Sequence, residues 1–155
     1  MANKEGENKL ELKPIGVIHS PFKRREEVPL WEERFKITSR IEVYKEYEEG
    51  LADVEGFSHL IILYWMHRAD SFSMKVIPRR DTQLRGLFAT RAPNRPNPLA
   101  LTLVKLIARQ GNILQVKGLD ALDGSPLLDI KPYIPDRYQA EEISLGWLSG
   151  KINNK

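Results

Sequence analysis

Cysteine is absent from the 155 residues. That excludes disulfides, thiolate metal sites and cysteine nucleophiles together, and it suits an intracellular, cytoplasmic protein. Long hydrophobic runs are missing too. The longest, Leu60 to Met66, falls far short of the roughly 20 residues that a membrane-spanning helix needs, so no membrane segment is expected. Met1 to Lys9 is polar and charged, with no apolar stretch behind it of the kind a secretory signal carries. The three histidines, His19, His59 and His67, stand singly, without a carboxylate at metal-ligand spacing, and no metal site is expected from them. The chain also lacks a G-x-S-x-G elbow, a P-loop and a G-x-G-x-x-G fingerprint. Nothing therefore points to a serine hydrolase or to a nucleotide site of the usual α/β kinds.

What is present is a mildly basic chain, with a net charge of +3 and a pI near 9.1. The total is small, and its distribution says more. Lys23-Arg24-Arg25, Arg79-Arg80, Arg85, Arg91 and Arg95 all fall in or beside proline-containing loops, whereas acidic residues gather between Glu42 and Glu55. Loop arginines can reach a polyanion such as RNA. The length suits one domain with one core. Residues 1–9 carry no apolar periodicity and read as a disordered tail, leaving residues 10–155 as the domain.

Short strands dominate the pattern. Leu12 to His19 reads as a first strand ended by Ser20-Pro21, and Phe35 to Tyr44 alternates Ile37, Ser39, Ile41 and Val43 with polar neighbours. Glu46 to Asp53 has room for one helical turn. Ser58 to Met66, apolar at nearly every position, fits a central strand covered on both faces. Gly86 to Thr90 reads as a strand running into a proline-rich loop. Leu99 to Ala108 and Ile113 to Leu119 flank Gln110-Gly111-Asn112, which is hairpin chemistry. Glu141 to Lys151 offers Ile143, Leu145, Trp147 and Leu148 for docking, as a strand or a short helix. The fold class expected is all-β: a small, closed or nearly closed antiparallel β-barrel with short helical turns, since closure removes exposed edges.

Two segments carry candidate chemistry. In Ala89-Thr-Arg-Ala-Pro-Asn-Arg-Pro-Asn-Pro-Leu99 three prolines stiffen a loop from which Arg91, Arg95, Asn94 and Asn97 project. Such a loop holds polar groups in place at little ordering cost. Guanidiniums suit phosphate or carboxylate, and carboxamides suit sugar hydroxyls or base edges. The second segment, Leu119 to Tyr133, contains the turn Asp123-Gly124-Ser125-Pro126 and then Asp129, Lys131 and Tyr133 at alternate positions. In an extended chain these three share one face, making a candidate reaction face. On residues alone, the reading is a basic β-domain with a preorganised anion-recognising loop.

Gly86-Leu-Phe-Ala-Thr-Arg-Ala-Pro-Asn-Arg-Pro-Asn-Pro-Leu99 and Asp120-Ala-Leu-Asp-Gly-Ser-Pro-Leu-Leu-Asp-Ile-Lys-Pro-Tyr133 resemble the two signature segments of the tRNA methyltransferase O (TrmO, TsaA-like) family. Pro14 to Phe22 and Gly56 to Leu63 resemble its opening and central strands, in the same order. The resemblance covers most of residues 12 to 135. It implies a small β-barrel methyltransferase, usually a homodimer, that binds S-adenosyl-L-methionine without a Rossmann fold. The implied substrate is N6-threonylcarbamoyladenosine beside the anticodon of tRNA, at position 37. It also implies a cofactor pocket built by Val28, Pro29 and Leu30, by His67 with Arg68, by Arg91 with Leu101, and by Asp123, Gly124, Ser125 and Pro126. This chain departs from the family's pattern in having Pro29-Leu30-Trp31 where Pro-Arg-Gln is common and Leu99-Ala100 where Ile-Gly is usual. It also lacks the longer C-terminal extension of bacterial members.

For methyl transfer to that nitrogen a proton acceptor is expected. Asp129 is the first candidate, with Lys131 and Tyr133 orienting the threonylcarbamoyl group and Arg95 and Asn97 contacting the tRNA. Two other readings stay open at this point: a methyltransferase acting on another, small substrate, and a non-catalytic RNA-binding β-barrel whose arginines only contact phosphates.

Overall fold

The computed structural model describes residues 9–135 and 142–152. The expected tail therefore lies, apart from Lys9, outside the described residues. Strands β1 (Gly16–His19), β2 (Thr38–Val43), β3 (His59–Trp65), β6 (Leu99–Gln110), β7 (Ile113–Lys117) and β8 (Pro126–Pro132) close into a barrel in the order β1-β2-β7-β6-β3-β8. Every neighbouring pair is antiparallel. Two further strands of two residues each, β4 (Lys75–Val76) and β5 (Arg85–Gly86), pair separately.

Alternation in the sequence fills the barrel. Ile18, Ile41, Val43, Leu60, Ile62, Tyr64, Val104, Leu114, Val116 and Leu127 all point inward and are buried, each worth about 1.5–3 kcal/mol for a full-sized apolar side chain removed from water. β1 and β2 approach so closely that a Cβ on Gly16 would lie 2.0 Å from the Glu42 carbonyl oxygen, so only glycine fits there. A bulge in β8 opposite Leu63/Tyr64 resets the alternation. Leu127 and Ile130 thereby share the inner side with Tyr64 and Ile62, and Asp129 and Lys131 stand outside with Leu63 and Ile61.

Several expected elements differ. β1 begins at Gly16 and not at Leu12, and β2 begins only at Thr38 because the chain before it forms a four-residue helix, α1 (Trp31–Arg34), capped by Phe35, whose ring meets Trp31 edge-on at 5.2 Å. The segment expected as a strand from Gly86 to Thr90 is strand only at Gly86. Leu87–Ala89 forms a 3₁₀ turn, in which Leu87 alone is buried, so one apolar anchor mimicked a strand pattern. The Lys45–Leu51 stretch is a 3₁₀ helix longer than the single turn anticipated. Near the C-terminus, Gly146–Leu148 is a 3₁₀ turn. Its docking rests less on apolar residues than on Trp147, whose Nε1 donates to the Ala89 carbonyl (2.8 Å) and whose ring lies against Arg85 and Lys151. Ile143 is exposed, and Glu141 lies outside the described residues.

Candidate active site

β3 extends past Trp65 into the stretch Met66-His67-Arg68-Ala69-Asp70, and this stretch touches three loops. The Met66 amide donates to the Pro98 carbonyl (2.8 Å) and the Asp70 amide to Asn94 Oδ1 (3.0 Å), tying it to the arginine loop. Arg68 donates to the carbonyl of Lys23 (2.8 Å), in the loop after β1. His67 faces the turn before β8: a Cβ on Gly124, itself at φ +82°, would stand 3.9 Å from His67 Nε2. One end of the barrel thus gathers residues from four separate parts of the sequence.

Hydrogen bonds fix the turn. Gly124 donates to the Ile18 carbonyl (2.8 Å), Ile18 donates back to the Ser125 carbonyl (2.9 Å), and the buried Ser125 hydroxyl donates to Leu122 (2.6 Å). Asp123 accepts from the Ser20 amide (3.0 Å) and from Lys23. The Lys23 hydrogen bond is the main reason that its carboxyl titrates below the usual range, with the Ser20 amide acting in the same direction against burial. Burial, and then the adjacent Arg68, lower the pKa of His67, so its ring is neutral at pH 7 and has one nitrogen free to accept.

The residues singled out in the sequence fall into distinct positions. Pro29 is half-buried and Leu30 exposed, but Val28 is buried and its carbonyl accepts from Arg79 (3.2 Å). In the arginine loop, Arg95 turns back: a single nitrogen, Nη1, donates to the Thr90 and Ala92 carbonyls (2.9 and 3.0 Å), and its guanidinium lies 5.9 Å from the centre of the Phe88 ring. Arg95 therefore holds the loop, a role the sequence reading did not assign it. Arg91 and Asn97 are exposed, and among the described residues no carboxylate pairs with Arg91.

Register places Leu101, Leu63 and Asp129 in one row across three strands on the outside of the barrel, and Leu103, Ile61 and Lys131 in the next. The two rows join the expected pocket residue Leu101 to the expected reaction face. Lys131 lies 2.9 Å from Asp129, and Asp129 also accepts from the Ile130 amide (2.9 Å). Tyr133, just past β8, puts its ring against His59 and its amide on the His59 carbonyl.

The sequence reading did not single out Asp120. Its carboxylate accepts from Tyr64 Oη (2.7 Å), Thr102 Oγ1 (2.6 Å) and Arg34 (2.8 Å), which fastens α1 to the barrel end. The Trp31 ring covers the Arg34 guanidinium at 5.0 Å. Burial, and then the Asp120 charge, push the Tyr64 hydroxyl's pKa up, so it remains a donor. Tyr64 and Thr102 are separated from Asp120 by many residues, and no local spacing could have shown that they meet.

Among the described residues, no group of three or more histidine and carboxylate side chains is placed to hold a metal, and no helix is long and apolar enough to cross a membrane. The fold and site define a closed antiparallel barrel with a loop-built polar end and an apolar outer wall beside it. The chain belongs to the tRNA-methyltransferase O N-terminal domain family, whose sequence profile matches residues 17–138. It is 46% identical over 142 residues to a "Probable S-adenosyl-L-methionine-binding protein" of Pyrococcus abyssi, covering 91% of this chain and 77% of that one. It is 34% identical over 140 residues to the tRNA (adenine(37)-N6)-methyltransferase of Mus musculus, covering 85% of this chain and 32% of the mouse protein. The crystal structure of TrmO from Pseudomonas aeruginosa superposes with a TM-score of 0.74 at 29% identity, over 90% of this chain and 63% of that one. The chain thus spans about a third of the mouse protein and a little under two thirds of the Pseudomonas one.

Proposed function

We propose that this chain is a cytoplasmic, S-adenosyl-L-methionine-dependent tRNA (adenine-N6)-methyltransferase whose substrate is N6-threonylcarbamoyladenosine at position 37, beside the anticodon. The observation that carries this reading is the gathering, by the end of β3, of the loop after β1, the arginine loop and the Asp123–Pro126 turn. Two of these, the arginine loop and the Asp123–Pro126 turn, belong to the segments through which the sequence resembles the family, and all of them meet at one place. The names of the relatives from Pyrococcus and mouse point the same way.

The residues present fit the methyl donor. The Gly124 turn faces a neutral histidine, among the described residues no carboxylate pairs with Arg91, and Leu63 and Leu101 supply an apolar wall. His67, Arg68, Arg91, Leu101 and the Asp123–Pro126 turn would hold the donor, with Pro29 and Leu30 bordering it. When bound, it supplies an electrophilic methyl group on a sulfonium. The protein's share is alignment and exclusion of water. Asp129 takes the proton that leaves the exocyclic nitrogen, Lys131 and Tyr133 orient the threonylcarbamoyl arm, and Asn97 contacts the tRNA from the loop that Arg95 holds in shape.

Mass spectrometry of nucleosides from tRNA incubated with protein and S-adenosyl-L-methionine tests the reading, using matched tRNAs with and without the threonylcarbamoyl group. A new methyl on the modified adenosine is expected. Methyl on plain adenosine at an equal rate would overturn the substrate assignment, and no methylation with intact RNA binding would leave a non-catalytic barrel. Arg91→Ala is expected to weaken donor or tRNA binding by about 1.5–3 kcal/mol, the scale of a charge-assisted contact, with the melting temperature unchanged. A large drop in melting temperature would instead make Arg91 a structural residue.

We also propose a homodimer in which a second copy packs beside the outer wall of β3 and β6, so that the cofactor site lies close to the subunit boundary and the reaction face stays open. Trp65, Leu99 and Leu101 are exposed there beside Leu63, and the neighbouring Asp129 and Lys131 neutralise each other. A closed barrel has no free edge strand, so copies must meet by faces. Light scattering should give twice the monomer mass, and Leu101→Asp should give monomers. A monomer at micromolar concentration for the unaltered chain would refute the dimer.

A further inference from the structure

The two basic segments, 23–25 and 79–80, sort their cations unevenly. In Lys23-Arg24-Arg25, Lys23 pairs with Asp123 and Arg24 with Glu27. In Arg79-Arg80, Arg80 approaches Glu32 at 4.0 Å and donates to the Lys151 carbonyl. Arg25 and Arg79 remain, and among the described residues no carboxylate lies within ion-pair distance of either. Arg34, Arg85 and Arg109 each have a carboxylate partner at 2.6–2.8 Å, and the chain contains 21 acidic residues, so partners were not in short supply. Among the described residues Arg40, Arg68, Arg91 and Arg95 also lack one, although Arg68 and Arg95 donate to backbone carbonyls. What sets Arg25 and Arg79 apart is that they stand together: Arg79 donates to Val28, at the end of the 3₁₀ turn that Arg25 opens.

Burial and then repulsion by Arg79 both lower the Arg25 pKa, and Glu26 offsets this only in part. The turn between the two cations is fixed from several sides: Arg68 binds the Lys23 carbonyl, Arg79 the Val28 carbonyl, and the Glu27 carboxylate accepts from the Lys23 amide (2.7 Å). The turn is thus held in place while its two guanidiniums repel. Of the five N–H donors a guanidinium carries, Arg79 uses one on Val28 and Arg25 has no hydrogen-bonded partner among the described residues. Planar guanidiniums with free donors match the paired oxygens of a phosphodiester.

We propose that Arg25 and Arg79 form a phosphodiester-binding site for the RNA substrate, on the loop after β1 and separate from the residues that hold the methyl donor. The site rests on the tRNA reading above. Bound phosphate removes the repulsion between the two guanidiniums and positions the RNA backbone without reading its sequence.

Fluorescence anisotropy of labelled tRNA with the full chain, between about 50 and 200 mM salt, tests it. Arg25→Gln is expected to weaken binding on the order of ten-fold and to lower the slope of log affinity against log salt by about one. Arg25→Lys, which keeps the charge, should restore most of the slope. Arg79→Gln should act in the same direction, and because it also loosens the Val28 contact, the Arg25 variants decide the matter. The melting-temperature rise on adding S-adenosyl-L-methionine should be the same in both Arg25 variants as in the unaltered chain. The proposal is overturned if Arg25→Gln keeps wild-type affinity and slope, or if the unaltered chain binds no tRNA. It is equally overturned if the variants lose the response to S-adenosyl-L-methionine while the slope is unchanged, because the anion would then be the donor's carboxylate. Methyl incorporation measured in parallel separates the two readings: a chain whose RNA binding depends on Arg25 but which transfers no methyl keeps the phosphodiester site and loses the methyltransferase assignment.

Discussion

Asp129→Asn is expected to lower kcat on threonylcarbamoylated tRNA by about 10²–10⁴-fold, the range that a positioned general base contributes, with KM and melting temperature nearly unchanged. The nitrogen to be methylated is acylated by a carbamoyl group, so its lone pair is delocalised and its proton must leave as the new bond forms. Asparagine keeps the shape and the oxygen that accepts from the Ile130 amide but cannot take a proton. The competing role, simple pairing with Lys131 at 2.9 Å, involves side chains 45% and 60% exposed, and a solvated pair of that kind contributes about 1 kcal/mol or less to stability. The two roles therefore separate cleanly. Turnover near wild type would end the base assignment, and a fall in melting temperature of many degrees would move Asp129 into the structural class.

Asp120→Ala is expected to cost about 3 kcal/mol of folding stability, the low end of what breaking a buried ion pair costs, because the carboxylate is 30% exposed and water can partly replace it. The loss has three parts: the buried Tyr64 hydroxyl and Thr102 hydroxyl lose their acceptor, and Arg34, only 13% exposed, loses its counter-charge. Among the described residues Arg34 Nε is already buried without a hydrogen-bond partner, so loss of Asp120 leaves the guanidinium only the Trp31 ring over it. Tyr64→Phe and Thr102→Val, which remove one donor each and leave the ion pair intact, should cost about 1 kcal/mol apiece. Urea unfolding measures all three. A cost for Asp120→Ala below that of Tyr64→Phe would mean that α1 is held by the packing of the Phe35 ring over Gly118 and not by the ion pair. Because α1 follows directly on Leu30, the same variant should also weaken S-adenosyl-L-methionine binding beyond what the lost stability explains.

These two aspartates mark how far the sequence could be read. Asp129 was visible because alternation on a strand is a local property, and its neighbours Lys131 and Tyr133 come at the same spacing. Asp120 sits in the same signature segment, yet its partners Tyr64, Thr102 and Arg34 lie on β3, β6 and α1. Arg91 and Arg95 looked equivalent in the loop sequence. Only the turn at Leu87–Ala89 decides that Arg95 folds back onto carbonyls while Arg91 faces outward.

By itself the sequence determined the β-class and the inside of the fold: period-two alternation along Thr38–Val43, Ile113–Lys117 and the first half of Leu99–Gln110 allows one face to be buried, and closure is one way for many short strands to avoid exposed edges. The tertiary structure decided what the ends and the outer wall present. Strand register brought Leu101, Leu63 and Asp129 into one row, the β8 bulge turned Asp129 and Lys131 outward, and the end of β3 chose which loops meet. Pairing between distant strands is set by the packing of the whole core, so a site assembled across four segments exists only once the barrel has closed.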